Sequence, residues 1–342
     1  MIYILAATFL LMLTIFLIKL FNKYYILENY SGDKHQKYTS SQNTPLIGGI
    51  ISLVFIFFFI NFNLVIKFFL VSIFIVGILS DLKILVSPTK RLLFQFIIII
   101  FFLYVLEVNL VSTKLLFLDF FLENILFSFF FTGFCFLILI NGTNFVDGTN
   151  GNVLTYYLIV STIILILNIN EYQTIGNKNI FLIIELILIL QIFNYSNKLY
   201  LGDSGSFLFG SLFGLILVQL YLENMKNISS LFIVHVLWYP AFENLFSILR
   251  KLYFLKSPTQ ADNNHLHQLL FFFLTKKTSL NKILVNNSVS LIINFYNLIT
   301  ILLALAKPHH TKLMVLFILF NIVFYILAYI FLFRFKKKYL KK

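Results

Sequence analysis

Three aspartates stand where long apolar stretches of the sequence end or begin: Asp81, Asp147 and Asp203. An ionised carboxylate at the end of a membrane segment is costly unless it is paired or bound to a metal ion. Carboxylate oxygens and water are the ligands that Mg²⁺ and Mn²⁺ prefer, and these ions also bind phosphate oxygens. The three residues therefore predict a divalent-metal site that handles a phosphorylated compound.

Cationic and imidazole side chains occupy similar places in the sequence. Lys90 and Arg91 follow Asp81 closely, and His265 and His267 lie in a later polar segment. These side chains supply positive charge or hydrogen-bond donors for an anion. Carboxylates, a metal ion and cations together are the groups that phosphoryl transfer requires.

Each of these elements also has a simpler interpretation. Asp81 could cap a membrane helix, and the Gly-Asp-Ser-Gly-Ser string at 202–206 could be an ordinary turn. Asn141 and Asn144 could reflect an Asn-rich composition, although chance explains the full string that they open less well. The two histidines do not share a helical face, because they are only two residues apart, so we expect a loop there.

The elements that must position these residues are membrane helices. Of the 342 residues, 60% are hydrophobic and 11% are charged, whereas about a quarter of the residues in a soluble domain are charged. The apolar residues form unbroken blocks of about 17–25 residues, which is long enough to cross a bilayer as helices. The blocks lack the alternation of barrel strands. The sequence therefore predicts an all-α, polytopic membrane protein.

We predict eleven transmembrane helices in a single domain that covers residues 1–342. The first block is expected to be a retained helix, because it lacks the charged start and the cleavage site of a signal peptide. Segment 109–120 is a candidate interfacial segment. The predicted spans are 2–21, 45–60, 63–79, 92–108, 121–140, 153–169, 179–194, 207–222, 230–249, 283–306 and 312–333.

Five polar segments follow spans 1, 3, 5, 7 and 9, so all five lie on one side of the membrane. With the N-terminus outside, the inner side carries 20 of the 26 Lys and Arg residues. The positive-inside rule therefore predicts an N-out, C-in chain with a cytoplasmic active-site cleft. The polar segments are 22–45, 80–91, 141–152, 195–206 and 250–282.

Net charge and cysteine content exclude some other classes. The net charge of +13 reflects Lys and Arg that flank apolar blocks as membrane anchors, so we expect no nucleic-acid partner. Cys135 is the one cysteine of the chain, which excludes a disulfide within the chain and a cysteine-based metal site.

Two strings carry a resemblance to a known family: Asn-Gly-Thr-Asn-Phe-Val-Asp-Gly-Thr-Asn-Gly at 141–151 and Tyr-Leu-Gly-Asp-Ser-Gly-Ser at 200–206. Thr-Pro-Leu-Ile-Gly-Gly at 44–49 adds weaker support. From Asp33 to His267 the chain resembles the polyprenyl-phosphate N-acetylhexosamine-1-phosphate transferases. That superfamily includes the bacterial undecaprenyl-phosphate GlcNAc-1-phosphate transferases and phospho-N-acetylmuramoyl-pentapeptide transferase.

The resemblance implies a helical fold around a cytoplasmic cleft. It implies transfer of a sugar 1-phosphate from a UDP-N-acetylhexosamine to undecaprenyl or another polyprenyl phosphate, with release of UMP. It implies Mg²⁺ as cofactor, with Mn²⁺ as an alternative, and Asp203 as the metal ligand. It further implies a multi-pass protein of the bacterial inner membrane that performs the first membrane step of a cell-envelope glycan.

The resemblance also assigns roles to single residues. Asp81 matches the second residue of an acidic pair, and Asn144 and Asp147 match positions that line the nucleotide-sugar site. The expected catalytic residues are Asp81, Asp147 and Asp203. The expected substrate-binding residues are Lys37, Lys90, Arg91, Asn141, Asn144, Asp147, Tyr200, His265 and His267.

The sequence departs from the family pattern at three places. Ser80 replaces the first residue of the acidic pair, and a serine cannot act as a base at neutral pH. A base is not needed if the lipid phosphate is itself ionised, as a second phosphate pKa of about 6 implies. Glu243 replaces an aspartate that is often seen in the ninth span. The Asn-His-Leu-His-Gln string at 264–268 favours the GlcNAc-type branch over the muramoyl-pentapeptide branch.

Two other functions remain open at this point. A transporter would place charged groups near the middle of the bilayer, and Glu185 in the seventh predicted span is such a group. Polar clusters at helix ends on one face, without a visible internal repeat, disfavour that hypothesis. A catalytically inactive relative of the family, carrying Ser80, would have much the same sequence.

Overall fold

The computed structural model describes residues 2–27, 44–169, 176–258 and 262–340. Within these ranges the chain forms fourteen helices joined by short connections. They are α1 (Ile2–Tyr24), α2 (Gly48–Phe59), α3 (Leu64–Asp81), α4 (Pro88–Val105), α5 (Leu116–Leu122), α6 (Ile125–Val146), α7 (Asn152–Ile169), α8 (Asn177–Tyr195), α9 (Gly202–Glu223), α10 (Ser230–Val236), α11 (Trp238–Tyr253), α12 (Leu266–Lys277), α13 (Lys282–Leu305) and α14 (Thr311–Leu340). The prediction of an all-α fold is confirmed for these residues, and their long apolar helices are those expected of a polytopic membrane protein.

In the described part of the chain, eight helices are long and apolar enough to cross a membrane, namely α1, α3, α4, α6, α8, α9, α13 and α14. Helices α10 and α11 add a ninth span if they cross together despite the 76° bend between them. Helices α2 and α7 are apolar but shorter. Each of the eleven predicted spans overlaps one of these helices or the bent pair. The criterion of length and apolar composition, in contrast, gives eight or nine membrane-spanning helices among the described residues.

Helix α9 lies at the centre of the fold and is almost wholly enclosed, with α2, α3 and α6 around it. Glycines on two of these helices permit the contact. A β-carbon at Gly77 would lie 2.4 Å from the Cα atom of Ser204, and one at Gly49 would lie 2.5 Å from the backbone nitrogen of Gly205. Small residues let membrane helices approach closely. Helices α2 and α3 therefore pack directly against the first turn of α9, which carries Asp203.

The start of α4 is fixed by two residues that favour helix N-termini. Ser87 is the N-cap and its side chain accepts from the backbone N–H of Lys90, while Pro88 takes the first helical position. The helix therefore begins before the predicted span 92–108, so Lys90 and Arg91 lie in its first turn.

Two polar segments expected as loops are partly helical. The sequence predicts a loop over 141–152, but residues 141–146 continue α6, so Asn141 and Asn144 lie in its last two turns. The sequence predicts a second loop over 195–206, but α9 begins at Gly202. In both places, helical residues have polar side chains that bond to groups on other helices. Spans predicted from runs of apolar residues therefore end too early or begin too late there.

Segment 250–282 is also more ordered than a loop. Helix α11 continues to Tyr253, and α12 occupies Leu266–Lys277, where the sequence predicts no helix. Helix α12 packs between α13 and α14.

The described end of the first polar segment is pinned to the start of α9. Leu46 pairs with Tyr200 as an isolated parallel bridge. The backbone N–H of Gly48 donates to the Tyr200 carbonyl at 2.9 Å, and the Tyr200 N–H donates to the Pro45 carbonyl at 3.0 Å. Lys37, an expected substrate-binding residue of the same segment, lies outside the described residues.

Candidate active site

Asp203 is the centre of a polar cluster at the first turn of α9. Its Oδ2 atom accepts hydrogen bonds from Arg91 Nη1 at 2.7 Å and from the Ser80 hydroxyl. Its Oδ1 atom accepts from Asn144 Nδ2 at 2.6 Å. The side chains of Asp203 and Arg91 are 28% and 26% exposed, so a ligand from outside can reach this ion pair. The ends of α3, α4, α6 and α9 thus meet at one carboxylate.

Ser80 links the cation to the carboxylate. Its hydroxyl donates to Asp203 and accepts from Arg91 Nη1 at 2.6 Å. An aspartate at this position would add another negative charge beside Asp203. With serine, the guanidinium of Arg91 faces one directly bound carboxylate, which leaves part of its charge for another anion.

Asp81 caps α9 rather than its own helix. Its two oxygens accept from the backbone N–H groups of Asp203, at 2.8 Å, and of Ser204, at 3.0 Å. Gly202 makes this possible, because it has φ +74° and a β-carbon there would lie 2.7 Å from Asp81 Oδ2. A carboxylate at a helix N-terminus is stabilised by the free N–H groups and the helix dipole. Asp81 therefore holds the turn that carries Asp203.

Asp147 lies at the C-cap of α6, where its Oδ2 atom accepts from the Ser206 hydroxyl at 2.9 Å. Burial raises the pKa of Asp147 well above its ordinary value of 3.8, against the hydrogen bond from Ser206, and the charges of Asp203 and Asp81 raise it further. Three carboxyl groups, each at the end of a different helix, therefore lie close together. Among the described residues, the cation that forms an ion pair with one of them is Arg91, which binds Asp203.

The two histidines lie at the start of α12, not in a loop. His265 is its N-cap residue and His267 is in its first turn, and their rings stack with centroids 5.8 Å apart and planes 12° apart. A β-carbon at Gly148 would lie 2.0 Å from His267 Nε2. His267 thus packs directly against the residue that follows Asp147, just beyond the end of α6.

His267 is neutral at physiological pH. Burial, and to a lesser extent the neighbouring His265, lower the pKa of His267 to about 3. Neither of its ring nitrogens has a hydrogen-bond partner among the described residues. A buried, neutral imidazole without a partner remains able to bind a ligand.

The remaining expected residues lie around this centre in different ways. Asn141 donates to Gln95 Oε1 at 2.8 Å, one turn below the Asp203 contact. Lys90 is exposed beside Arg91 in the first turn of α4. The hydroxyl of Tyr200 donates to Asn197 at 3.4 Å, so it faces the connection between α8 and α9.

Two residues of the site were not predicted from the sequence. Gln95 is fully buried one turn after Arg91, and its Nε2 atom has no partner among the described residues. Ser206 bonds Asp147. A usable signal exists for Gln95, because it lies four residues after Arg91 on a membrane helix and so shares its face. The glycines beside Asp147 and Asp203 make room for protein side chains, because His267 packs on Gly148 and Asp81 on Gly202.

The donor set fits a divalent ion that is shared with a substrate. Among residues 2–27, 44–169, 176–258 and 262–340, no three His, Cys, Asp or Glu side chains form a metal site by themselves. Mg²⁺ is usually held by one or two carboxylates together with substrate phosphates and water. Asp203, partly exposed and with two further carboxylates nearby, meets that requirement.

Comparison with known proteins agrees with this geometry. The sequence model of glycosyl transferase family 4 matches residues 63–221. The match covers α3 to α9 and therefore the Asp203 cluster, while Glu243 and the histidines lie beyond it. A search of the curated proteins found no match to the chain. The matched segment, a little under half of the chain, is thus similar to glycosyl transferase family 4, the polyprenyl-phosphate hexose-1-phosphate transferases.

Proposed function

We propose that the chain transfers an N-acetylhexosamine 1-phosphate from a UDP-sugar to undecaprenyl phosphate or a related polyprenyl phosphate. The observation that carries the proposal is the Asp203 carboxylate held between Arg91 and Asn144 at the start of α9. Positioning and neutralisation of charge are the main tasks of a phosphoryl-transfer site. This cluster offers both at one accessible point.

In the proposed reaction an oxygen of the lipid phosphate attacks the β-phosphorus of the UDP-sugar. The bond from that phosphorus to the bridging oxygen breaks, and UMP leaves with the electron pair. The product is a polyprenyl diphosphate that carries the sugar. The attacking phosphate is largely ionised at neutral pH, since its second pKa is about 6, so Ser80 is not required to act as a base.

Arg91 is suited to hold the lipid phosphate, because its guanidinium is planar, permanently charged and partly exposed. Lys90, exposed beside it, adds a second positive charge. Asp203 would hold Mg²⁺, with Mn²⁺ as an alternative, and the bound ion would neutralise charge on the diphosphate. Asn144 keeps the Asp203 carboxylate oriented through its hydrogen bond to Oδ1.

The other two aspartates support the reacting groups. Both oxygens of Asp81 bond to the backbone of α9, so its role is to position Asp203. Asp147, with Asn144, would orient the uridine or the sugar from the end of α6. His267, neutral and without a partner among the described residues, would complete the substrate pocket beside Gly148.

The proposed setting is the bacterial inner membrane, with the N-terminus outside, the C-terminus inside and the cleft facing the cytoplasm. The asymmetric distribution of Lys and Arg supports this orientation. The reaction would be the first membrane step of a cell-envelope glycan. The partners are a UDP-N-acetylhexosamine, a polyprenyl phosphate and membrane lipid, without nucleic acid.

The test is UMP release by the purified protein in detergent with undecaprenyl phosphate and a panel of UDP-sugars. We expect release that depends on the lipid, with UDP-GlcNAc preferred among N-acetylated sugars. Full activity in an Asp203→Ala variant would refute the metal role. Absence of UMP release with every sugar would favour the inactive relative.

A transporter is the second candidate, and one observation favours it. Glu185 lies in the middle of α8, and its Oε2 atom is buried without a partner among the described residues. An intramembrane carboxylate of this kind often marks a transport path. Substrate-dependent ion flux in liposomes without UMP production would support that function instead.

A further inference from the structure

Helix α14, which lies beyond the family match, reaches the histidine pair through a buried carboxylate. The Tyr325 hydroxyl donates to Glu243 Oε2 at 2.6 Å, and His265 Nδ1 lies 2.9 Å from Glu243 Oε1. Glu243 is 1% exposed and Tyr325 is 2% exposed. Three helices, α11, α12 and α14, therefore share one enclosed hydrogen-bonded chain.

The hydrogen bonds between Tyr325, Glu243 and His265 determine which ring nitrogen of His265 carries the hydrogen. An ionised carboxylate only accepts hydrogen bonds, so the Nδ1 atom of His265 must be the donor. The Tyr325 hydroxyl occupies the other oxygen of Glu243, which prevents the carboxylate from turning. A histidine whose Nδ1–H is bound to a carboxylate has a fixed tautomer and a fixed ring orientation.

The orientation of the His265 ring has consequences for the site. The ring stacks on His267 at 5.8 Å and lies 5.3 Å from the ring of Phe145, between Asn144 and Asp147 in sequence. A change in the His265 ring would therefore move both His267 and the last turn of α6.

Helix α14 makes a second contact with the segment that precedes His265. Lys336 is about three helical turns after Tyr325 and so lies on the same face of the helix. Its Nζ atom donates to the Asn263 carbonyl at 2.7 Å and to Asn264 Oδ1 at 3.0 Å. Helix α14 is therefore linked to three consecutive residues before α12, with Lys336 on Asn263 and Asn264 and Tyr325 acting on His265 through Glu243.

We propose that Tyr325 is a positioning residue that acts through Glu243 on His265, with Lys336 as a second anchor. The inference rests on the proposed function, in which the histidine pair lines the substrate pocket. Helix α14 thereby becomes part of the transferase, although the matched family segment ends before it.

The test is Tyr325→Phe, which removes one oxygen and leaves the ring packing in place. We expect the dissociation constant for the UDP-sugar to rise by about tenfold and kcat/KM to fall by about the same factor. Losses of this size are typical for residues that orient a functional histidine. The matched control is Tyr296→Phe, which removes a similar hydroxyl that donates to Asn321 at 2.7 Å. The control should keep wild-type kinetics.

A double-mutant cycle separates positioning from general stability. In a His265→Asn background, Tyr325→Phe should change neither UDP-sugar binding nor the remaining rate. An equal loss in both backgrounds, or wild-type kinetics in Tyr325→Phe, would overturn the inference. If Tyr325→Phe does not yield folded protein, Lys336→Met in the same cycle gives the same decision. A wild-type protein without UMP release would instead sink the proposed function.

Discussion

Asp119, in the short helix α5 that precedes α6, and Asp147, at the C-cap of α6, flank the same helix, yet their surroundings differ. Asp119 is near the start of α6, where its carboxylate accepts from the backbone N–H groups of Thr113 and Lys114 and from the hydroxyls of Thr113 and Ser112. Asp147, at the other end of α6, has the Ser206 hydroxyl and lies near two further carboxylates from other helices.

The two environments move the two carboxyl groups in opposite directions. Burial alone would raise the pKa of Asp119, but the hydrogen bonds from residues 112–114 outweigh it and lower this pKa below 3.8. Burial and the neighbouring carboxylates raise the pKa of Asp147 above 3.8. A carboxylate satisfied by neighbouring residues of its own segment, as Asp119 is by residues 112–114, is a structural element. Crowded carboxylates with too few partners mark a place where a cation or substrate completes the site.

The largest effect is expected from removing the charge at the centre of the crowded site. Asp203→Asn should lower UMP release by about 100-fold or more, because it removes the carboxylate at which charge is neutralised. Asp119→Asn, at the opposite end of α6, should keep a rate close to wild type. Initial rates of UMP release at saturating Mg²⁺ measure both. Equal losses in the two variants would remove the distinction between the regions.

A smaller effect is expected from changing the shape of the cation while keeping its charge. In Arg91→Lys, a lysine that bonds both Ser80 and Asp203 has one N–H left for a phosphate, whereas the guanidinium of Arg91 keeps a planar pair of donors free. We expect the KM for the lipid phosphate to rise by about tenfold, with a smaller change in the KM for the UDP-sugar. A selective rise in the UDP-sugar KM would assign Arg91 to the other substrate.

Ser80→Ala tests whether the substituted family position takes part in proton transfer. The variant loses the hydroxyl between Arg91 and Asp203, which should cost about tenfold or less in kcat/KM. Because the lipid phosphate is already ionised, the pH dependence of the rate should not change. A rate that falls to background, or a shifted pH profile, would show that the hydroxyl has a chemical role.

The smallest effects concern stability, and the comparison predicts opposite signs. A carboxyl group whose pKa rises on folding destabilises the folded state as pH increases through and beyond the ordinary pKa of 3.8. Asp147→Asn should therefore unfold at a higher temperature than the wild type at pH 8, and the difference should shrink towards pH 4.

A carboxyl group whose pKa is lowered by folding stabilises the folded state at pH values above its ordinary pKa. Asp119→Asn should unfold at a lower temperature at pH 8, and this difference should shrink only as the pH falls below about 4. Thermal unfolding in detergent across this range measures both, and shifts of the same sign would contradict the contrast.

The positions of the apolar helices could be predicted from the sequence because uninterrupted apolar runs are a direct consequence of the bilayer. The convergence of Asp81, Asp147 and Asp203 was also predictable, since segments that follow odd-numbered spans share one side. The exact helix ends were not, because Asn144 pairs with Asp203, 59 residues away. No local pattern contains such a partner.

The environment of the histidines was equally hidden in the sequence. His265 stacks on His267 and bonds Glu243, which in turn accepts from Tyr325, 82 positions further along the chain. Two histidines separated by one residue favour a loop when only helical faces are considered. Placing His265 at the N-cap of α12 resolves this, because the cap residue is not itself helical.

The most direct test of the Asp203 cluster as a transferase site follows one phosphorus atom. UDP-GlcNAc labelled with radioactive phosphorus at the β-position is incubated with undecaprenyl phosphate and the protein in nanodiscs. Transfer of a sugar 1-phosphate predicts that the label moves into the lipid and that unlabelled UMP is released, in the wild type but not in Asp203→Ala. Label that remains in the nucleotide, or that enters the lipid equally well in the variant, would contradict the account.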